Sequence, residues 1–63
     1  PGVQQVCFSV GDLKGLLHYL AEHGVRLIDT EPRRGAGGHM IAFVHPASTG
    51  GVLVELSQRH HEE

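Results

Sequence analysis

Apolar residues recur along the chain with two different spacings. Between residues 3 and 10 they alternate with polar residues, so that Val6 and Phe8 share one face of a predicted strand. The next segment carries leucines three and four residues apart, between Asp12 as a predicted N-cap and Gly24 as a predicted C-terminal stop. These leucines are Leu13, Leu16, Leu17 and Leu20. The pattern predicts a strand followed by an amphipathic helix.

Three further strands are predicted after the helix, over residues 25–29, 39–45 and 52–56. A loop rich in glycine and proline over 30–38 and a turn over 46–51 separate them. The strand over 39–45 is apolar on both faces, which indicates that both faces of the sheet are covered. A single helix covers only one face, so the pattern calls for a second covering element.

The predicted order is β-α-β-β-β, which defines a small α+β fold. We expect residues 1–58 to form a single module and residues 59–63 to form a polar tail. The whole stretch from Ser57 onward, SQRHHEE, has no periodicity and is expected to fray.

The composition gives this small module little stability of its own. A domain of 63 residues buries only about 60% of the surface of its unfolded chain. The single cysteine, Cys7, excludes an internal disulfide, and no spacing of cysteine and histidine resembles a zinc site. We therefore expect self-association to supply the missing stability.

Charge and hydropathy exclude several classes of partner. The net charge is −2, and the basic residues are scattered, so a nucleic-acid partner is not expected. No apolar run reaches membrane-spanning length and no signal-peptide pattern opens the chain, which favours a cytoplasmic protein without a membrane partner.

One carboxylate interrupts the apolar pattern of the last strand, in the segment GGVLVEL. A buried strand excludes a charge that has no partner, so Glu55 must face away from the core. If Val54 and Leu56 face the helix together with Val6 and Phe8, then Glu55 lies with Gln5, Cys7 and Ser9 on the helix-free face. The pattern places an acid and an amide on one surface.

Four segments carry a resemblance to a known family. They are VGDL, GVRLIDTEPRRGAGG, IAFVHP and STGGVLVEL, and together with the element order they resemble the vicinal oxygen chelate superfamily, also called the glyoxalase/bleomycin resistance superfamily. The sequence of these segments is most similar to the second module of methylmalonyl-CoA epimerases. The resemblance implies two β-α-β-β-β modules that pair edge to edge into a cupped sheet around a divalent metal ion.

The resemblance also implies the metal ligands. Each module contributes a residue from its first strand and one from its last, which here are Gln5 and Glu55. Oxygen ligands suit a divalent ion of the Mg, Mn, Co or Ni class better than zinc. Glu55 is also the predicted catalytic acid and base. Gln5 stands where the epimerases usually have histidine, and Ala47 stands where they more often have lysine.

Four further residues are candidates for binding the substrate. Arg33 and Arg34 lie beside GAGG and could bind the phosphates of CoA, although a solvated loop also accounts for them. Ser48 and Thr49 precede the last strand. The resemblance suggests that they lie close to the arm of the substrate, and turn capping explains them equally well.

The leading functional hypothesis is metal-assisted proton transfer at the carbon alpha to a thioester, in an acyl-CoA substrate. The site would form between two modules, either in a homodimer or with another vicinal oxygen chelate module. A non-catalytic module that binds a small molecule or a protein is one alternative. A glyoxalase-like lyase or isomerase is another, because the fold does not name the substrate.

Overall fold

The computed structural model describes residues 4–59. Its elements are β1 (Gln5–Ser9), α1 (Leu13–Glu22), β2 (Arg33–Arg34), β3 (Met40–Val44) and β4 (Leu53–Gln58), with single 3₁₀ turns at Ala36–Gly38 and Pro46–Ser48. The four strands form one sheet in the order β1-β4-β3-β2. Strand β1 runs parallel to β4, and the other neighbours are antiparallel. The predicted α+β module is confirmed, and β1 lies at one edge of its sheet.

The helix covers one face of this sheet. Leu13 and Leu17 of α1 are fully buried against Ala42, Val44 and Leu56 of β3 and β4. Because side chains alternate along a strand, Phe43 of β3 and Glu55 of β4 face away from the helix. The core is therefore a single layer, and the opposite face of the sheet carries the side chains that the core excludes.

Val6 and Phe8 lie on the helix side of the sheet, as the alternation indicated, but the helix does not cover them. They remain 40% and 52% exposed. The helix packs on β3 and β4, and β1 lies beyond them at the edge of the sheet. Strand β1 thus presents an apolar edge to solvent.

The predicted strand over 25–29 is wrong. Within this segment only Leu27 forms a bridge, with Val44, and the Ile28 and Asp29 N–H groups both donate to the Phe43 carbonyl. The Asp29 side chain accepts the Phe43 N–H at 2.9 Å, and so takes a donor that a neighbouring strand would need. Pairing with β3 resumes only at Arg33–Arg34, inside the predicted loop. A side chain that competes for the backbone donor ends the first stretch of pairing.

The prediction that the chain frays from Ser57 is wrong for the first two residues. Ser57 and Gln58 belong to β4, and the Gln58 Oε1 accepts the Leu13 N–H at the start of the helix at 2.8 Å. Asp12 is the N-cap, as predicted, and accepts from the Gly15 N–H at 3.1 Å. The helix start is therefore capped both locally and from the end of β4. Of the predicted tail over 59–63, all but the first residue lies outside the described residues.

Within residues 4–59 the longest helix, α1, has ten residues. No helix in this part of the chain is long and apolar enough to cross a membrane.

The cap from Gln58 is testable by substitution. Gln58→Met keeps the length of the side chain and removes the acceptor, and we expect it to lower the free energy of unfolding by about 1 kcal/mol. Gln58→Glu is the matched control, because it keeps an oxygen acceptor and places a negative charge at the helix N-terminus. Urea denaturation at one protein concentration measures both. Equal stability of the Met variant and the unmodified chain would contradict this role of Gln58.

Candidate functional site

Gln5 and Glu55 meet on the helix-free face of the sheet. The Gln5 side chain donates from Nε2 to Glu55 Oε1 at 3.0 Å. Gln5 is exposed and Glu55 is half-buried. The two residues were predicted to share a surface, and the structure brings their side chains into direct contact.

The parallel register of β1 and β4 produces this contact. Gln5 lies opposite Leu53, and Cys7 lies opposite Glu55, so Gln5 and Glu55 are diagonal neighbours on the same face. The Leu53 N–H donates to the Gln4 carbonyl at 3.1 Å, and beyond the other end of β1 the Val10 N–H donates to the Ser57 carbonyl at 2.8 Å. Backbone hydrogen bonds at both ends thus fix the register that joins the amide to the acid.

The donor set fits one half of a site for a hard divalent ion. A carboxylate and an amide carbonyl are ligands that Mg²⁺ and Mn²⁺ accept. Rotation of the Gln5 amide by half a turn would bring its Oε1 beside the Glu55 carboxylate and replace the hydrogen bond with two converging oxygens. Among residues 4–59 no group of three or more histidine, cysteine or acidic side chains could hold a metal ion. The roles of Gln5 and Glu55 as metal ligands, and the role of Glu55 in catalysis, remain predictions.

The two candidate arginines lie on opposite faces of the sheet. Arg33 pairs with Ile41 and Arg34 with Met40, and antiparallel partners share a face. Arg33 therefore lies on the helix-free face with Glu55, whereas Arg34 lies on the helix side. The sequence pattern treats the two arginines alike, because a loop has no fixed alternation of faces.

Sequence reasoning missed two residues that contact Arg33. Asp29 Oδ1 lies 3.3 Å from the Arg33 Nε, and the guanidinium lies over the Phe43 ring at 5.6 Å from its centroid. Phe43 in turn lies opposite Glu55 in the register of β3 and β4. The sequence pattern places Asp29 and Phe43 in separate strands. The hydrogen bond between the Phe43 N–H and the Asp29 side chain brings both residues to Arg33.

Ser48 and Thr49 both form hydrogen bonds with the backbone. The Ser48 hydroxyl accepts the Arg26 N–H at 2.8 Å, which joins its turn to a segment 22 residues earlier. The Thr49 hydroxyl donates to the Val52 carbonyl, three residues away. Only the local contact of Thr49 agrees with turn capping. A role of either residue in binding the substrate remains a prediction.

A shallow cleft of about 290 Å³ lies between the helix and the segment at Thr30 and Glu31. His18 and Glu22 of the helix line its other side. None of the predicted site residues lines this cleft, and it is separate from the contact between Gln5 and Glu55.

The geometry of the module agrees with comparisons to known proteins. Residues 1–43 match the family described as the Glyoxalase/Bleomycin resistance protein/Dioxygenase superfamily. The chain belongs to this superfamily. The predicted family is thereby confirmed.

Several relatives in this superfamily are named as epimerases. Mitochondrial methylmalonyl-CoA epimerase of Dictyostelium discoideum is 40% identical over 92% of this chain and 35% of its own length. Ethylmalonyl-CoA/methylmalonyl-CoA epimerase of Cereibacter sphaeroides is 38% identical over 90% of this chain and 43% of its own length. The chain thus spans less than half the length of these curated relatives.

Solved epimerase structures share the fold. Methylmalonyl-CoA epimerase from Mycobacterium tuberculosis superposes with a TM-score of 0.86 and 41% identity, covering 97% of this chain and 41% of that protein. A single-substitution variant of Streptomyces coelicolor methylmalonyl-CoA epimerase, in complex with 2-nitronate-propionyl-CoA, gives a TM-score of 0.82 and 37% identity, covering 90% of this chain and 40% of that protein. The module corresponds to one portion of these larger proteins.

Binding of Mn²⁺ tests the metal-ligand prediction. We expect Glu55→Ala to weaken Mn²⁺ binding by roughly tenfold or more, because a charged ligand is lost, and Gln5→Ala to weaken it less. Calorimetric titration gives the dissociation constants. Glu22→Ala removes an exposed carboxylate from the helix and serves as the control. An equal loss in the Glu22 and Glu55 variants would mean that the ion is attracted by surface charge alone.

Proposed function

We propose that this chain is one module of a methylmalonyl-CoA epimerase-like isomerase, which moves the proton on the carbon alpha to a thioester. The contact between Gln5 and Glu55 on the helix-free face carries this proposal. It places an acid and a potential oxygen ligand side by side in a fold whose relatives include proteins named as methylmalonyl-CoA epimerases.

The proposed active unit contains two modules. One module supplies two candidate ligands, whereas Mg²⁺ and similar ions prefer about six. A second copy related by twofold symmetry would add its own Gln5 and Glu55. Strand β1 supports such pairing, because it is an edge strand with half-exposed Val6 and Phe8. A different module of the same superfamily would meet the same need.

The metal ion, when bound, would polarise the thioester oxygen and lower the cost of removing the alpha proton. Within the chain, the Glu55 carboxylate would accept that proton at its free oxygen. In the structure the Gln5 amide donates to the other carboxylate oxygen. Rotation of that amide would turn its Oε1 towards a bound ion, and Gln5 and this second oxygen of Glu55 would then hold the ion together. Inversion of the carbon requires an acid on the opposite face, which Glu55 of a second copy would supply.

A non-catalytic binding module is the second candidate. Gln5 occupies the position where the resembling epimerases usually have histidine, and its N–H already satisfies one oxygen of Glu55. Such a pair could line a pocket without transferring a proton. A glyoxalase-like lyase or isomerase is a third candidate, since the fold alone names no substrate. The cytoplasmic location also remains a prediction.

Deuterium exchange separates the enzyme from the binding module. Metal-loaded protein in D₂O should incorporate deuterium at the alpha carbon of methylmalonyl-CoA, as followed by mass spectrometry. We expect Glu55→Gln to slow exchange by roughly a hundredfold or more, because the proton acceptor is removed. Glu22→Gln should leave the rate unchanged. A metal-loaded protein that binds the thioester without exchange would identify a binding module.

Light scattering at micromolar concentration tests the pairing. We expect a mass of twice the 6.8 kDa of one chain, because the apolar edge at β1 is covered in the dimer. Phe8→Lys should shift the equilibrium towards the monomer. Tyr19→Lys alters a side chain that is similarly exposed, at 57%, on the helix, and should have no such effect. A folded monomer of the unmodified chain would contradict the homodimer.

A further inference from the structure

Asp29, Arg33 and Phe43 form one connected group on the helix-free face. The Asp29 carboxylate accepts the Phe43 N–H through Oδ2 at 2.9 Å and faces the Arg33 Nε through Oδ1 at 3.3 Å. The Phe43 ring lies beneath the guanidinium, at 5.6 Å. An ion pair therefore holds the guanidinium at its Nε edge, and an aromatic ring holds it at its face.

This group lies beside the predicted site. Phe43 and Glu55 are directly opposite on β3 and β4, and Arg33 is on the next strand, β2. Neighbouring strands are about 4.8 Å apart, so β2 and β4 are separated by about 10 Å. A ligand that reaches Glu55 and extends across the sheet would pass over Phe43 and meet Arg33.

The geometry leaves most of the donors of Arg33 available. A guanidinium carries one N–H at Nε and two on each terminal nitrogen. Among residues 4–59 its recorded partners are Asp29, at Nε, and the Phe43 ring. The Arg33 side chain is 56% exposed and the Asp29 side chain only 16%. An approaching ligand therefore meets the guanidinium rather than the carboxylate behind it.

We propose that Arg33 binds an anionic oxygen of the ligand through its terminal nitrogens, and that Asp29 is the residue that positions it. The anion is a carboxylate or a phosphate, both of which match the planar donors of a guanidinium. The proposal rests on the acyl-CoA ligand of the proposed function, which contains both groups. Arg34, on the opposite face, takes no part in this contact.

Asp29 reduces the charge of the group but lowers the cost of ordering it. A free arginine side chain loses rotamer entropy when it is fixed. Here the ion pair and the ring fix it before the ligand arrives. Asp29 is itself held by the Phe43 backbone, so the position of Arg33 is tied to the strand opposite Glu55.

Affinities of paired variants test the role of Arg33. Calorimetry with metal-loaded protein and methylmalonyl-CoA should show a loss of roughly tenfold or more in Arg33→Ala, the range of a charge-assisted hydrogen bond. Arg34→Ala, which removes the neighbouring charge of the same strand, should change the affinity by less than about threefold. Equal effects of the two substitutions, or no effect of Arg33→Ala, would overturn the proposal.

Two truncated ligands identify the anion. Methylmalonyl-pantetheine lacks the phosphates, and propionyl-CoA lacks the carboxylate. If the contact is to the carboxylate, the loss in Arg33→Ala persists with the first and disappears with the second. If the contact is to a phosphate, the pattern is reversed, and either pattern supports the proposal. Unmodified protein that binds methylmalonyl-CoA without deuterium exchange contradicts the enzymatic function alone, whereas protein that binds none of these ligands overturns both proposals.

Asp29→Asn tests positioning separately. Asparagine keeps an oxygen for the Phe43 N–H but removes the charge that faces Arg33. We expect the NMR signal of the Arg33 Nε–H to shift and broaden, and the affinity for methylmalonyl-CoA to fall several-fold, with little change in melting temperature. A tighter complex would show that Asp29 only neutralises Arg33, and would overturn its positioning role.

Discussion

The parallel pairing of β1 with β4 is the constraint on which the structure depends. It joins two strands from nearly opposite ends of the described chain and sets which side chains face the helix. A slip of one residue along β4 would turn Glu55 towards the leucines of the core and Leu56 towards solvent. The cost of burying a carboxylate excludes that register. The position of the acid thus follows from the same alternation that builds the core.

The local parts of the fold were predictable from sequence. The leucine spacing and Asp12 gave the helix, because an N-cap and a helical stripe depend only on neighbouring residues. The second strand was not predictable in this way. Its place depends on Asp29 taking the backbone donor of Phe43, which lies 14 residues further along the chain. Gln58 was likewise predicted to fray, because its hydrogen-bond partner, Leu13, is 45 residues away in the sequence.

The candidate site was likewise only partly predictable from sequence. Gln5 and Glu55 were placed on one surface by alternation alone, and the structure brings them into hydrogen-bonding contact. The sequence could not separate Arg33 from Arg34, since the face of each depends on the pairing of β2 with β3. The contacts of Arg33 with Phe43 and Asp29 could not be predicted, because they depend on how β2 and the segment at Asp29 lie against β3. Positions that follow from alternation within one strand were predictable, whereas contacts that depend on pairing between segments were not.

The contact from Gln58 to the helix start has a consequence for synthesis. Strand β4 carries Glu55, pairs with β1 and caps α1, so neither the first strand nor the helix is fully satisfied until β4 has left the ribosome. Contacts between distant segments also form slowly, because the intervening chain must first be ordered. The nascent module therefore passes through a stage in which its apolar strands lack their central partner, and translation of the final strand completes the sheet, the helix cap and the acid–amide pair together.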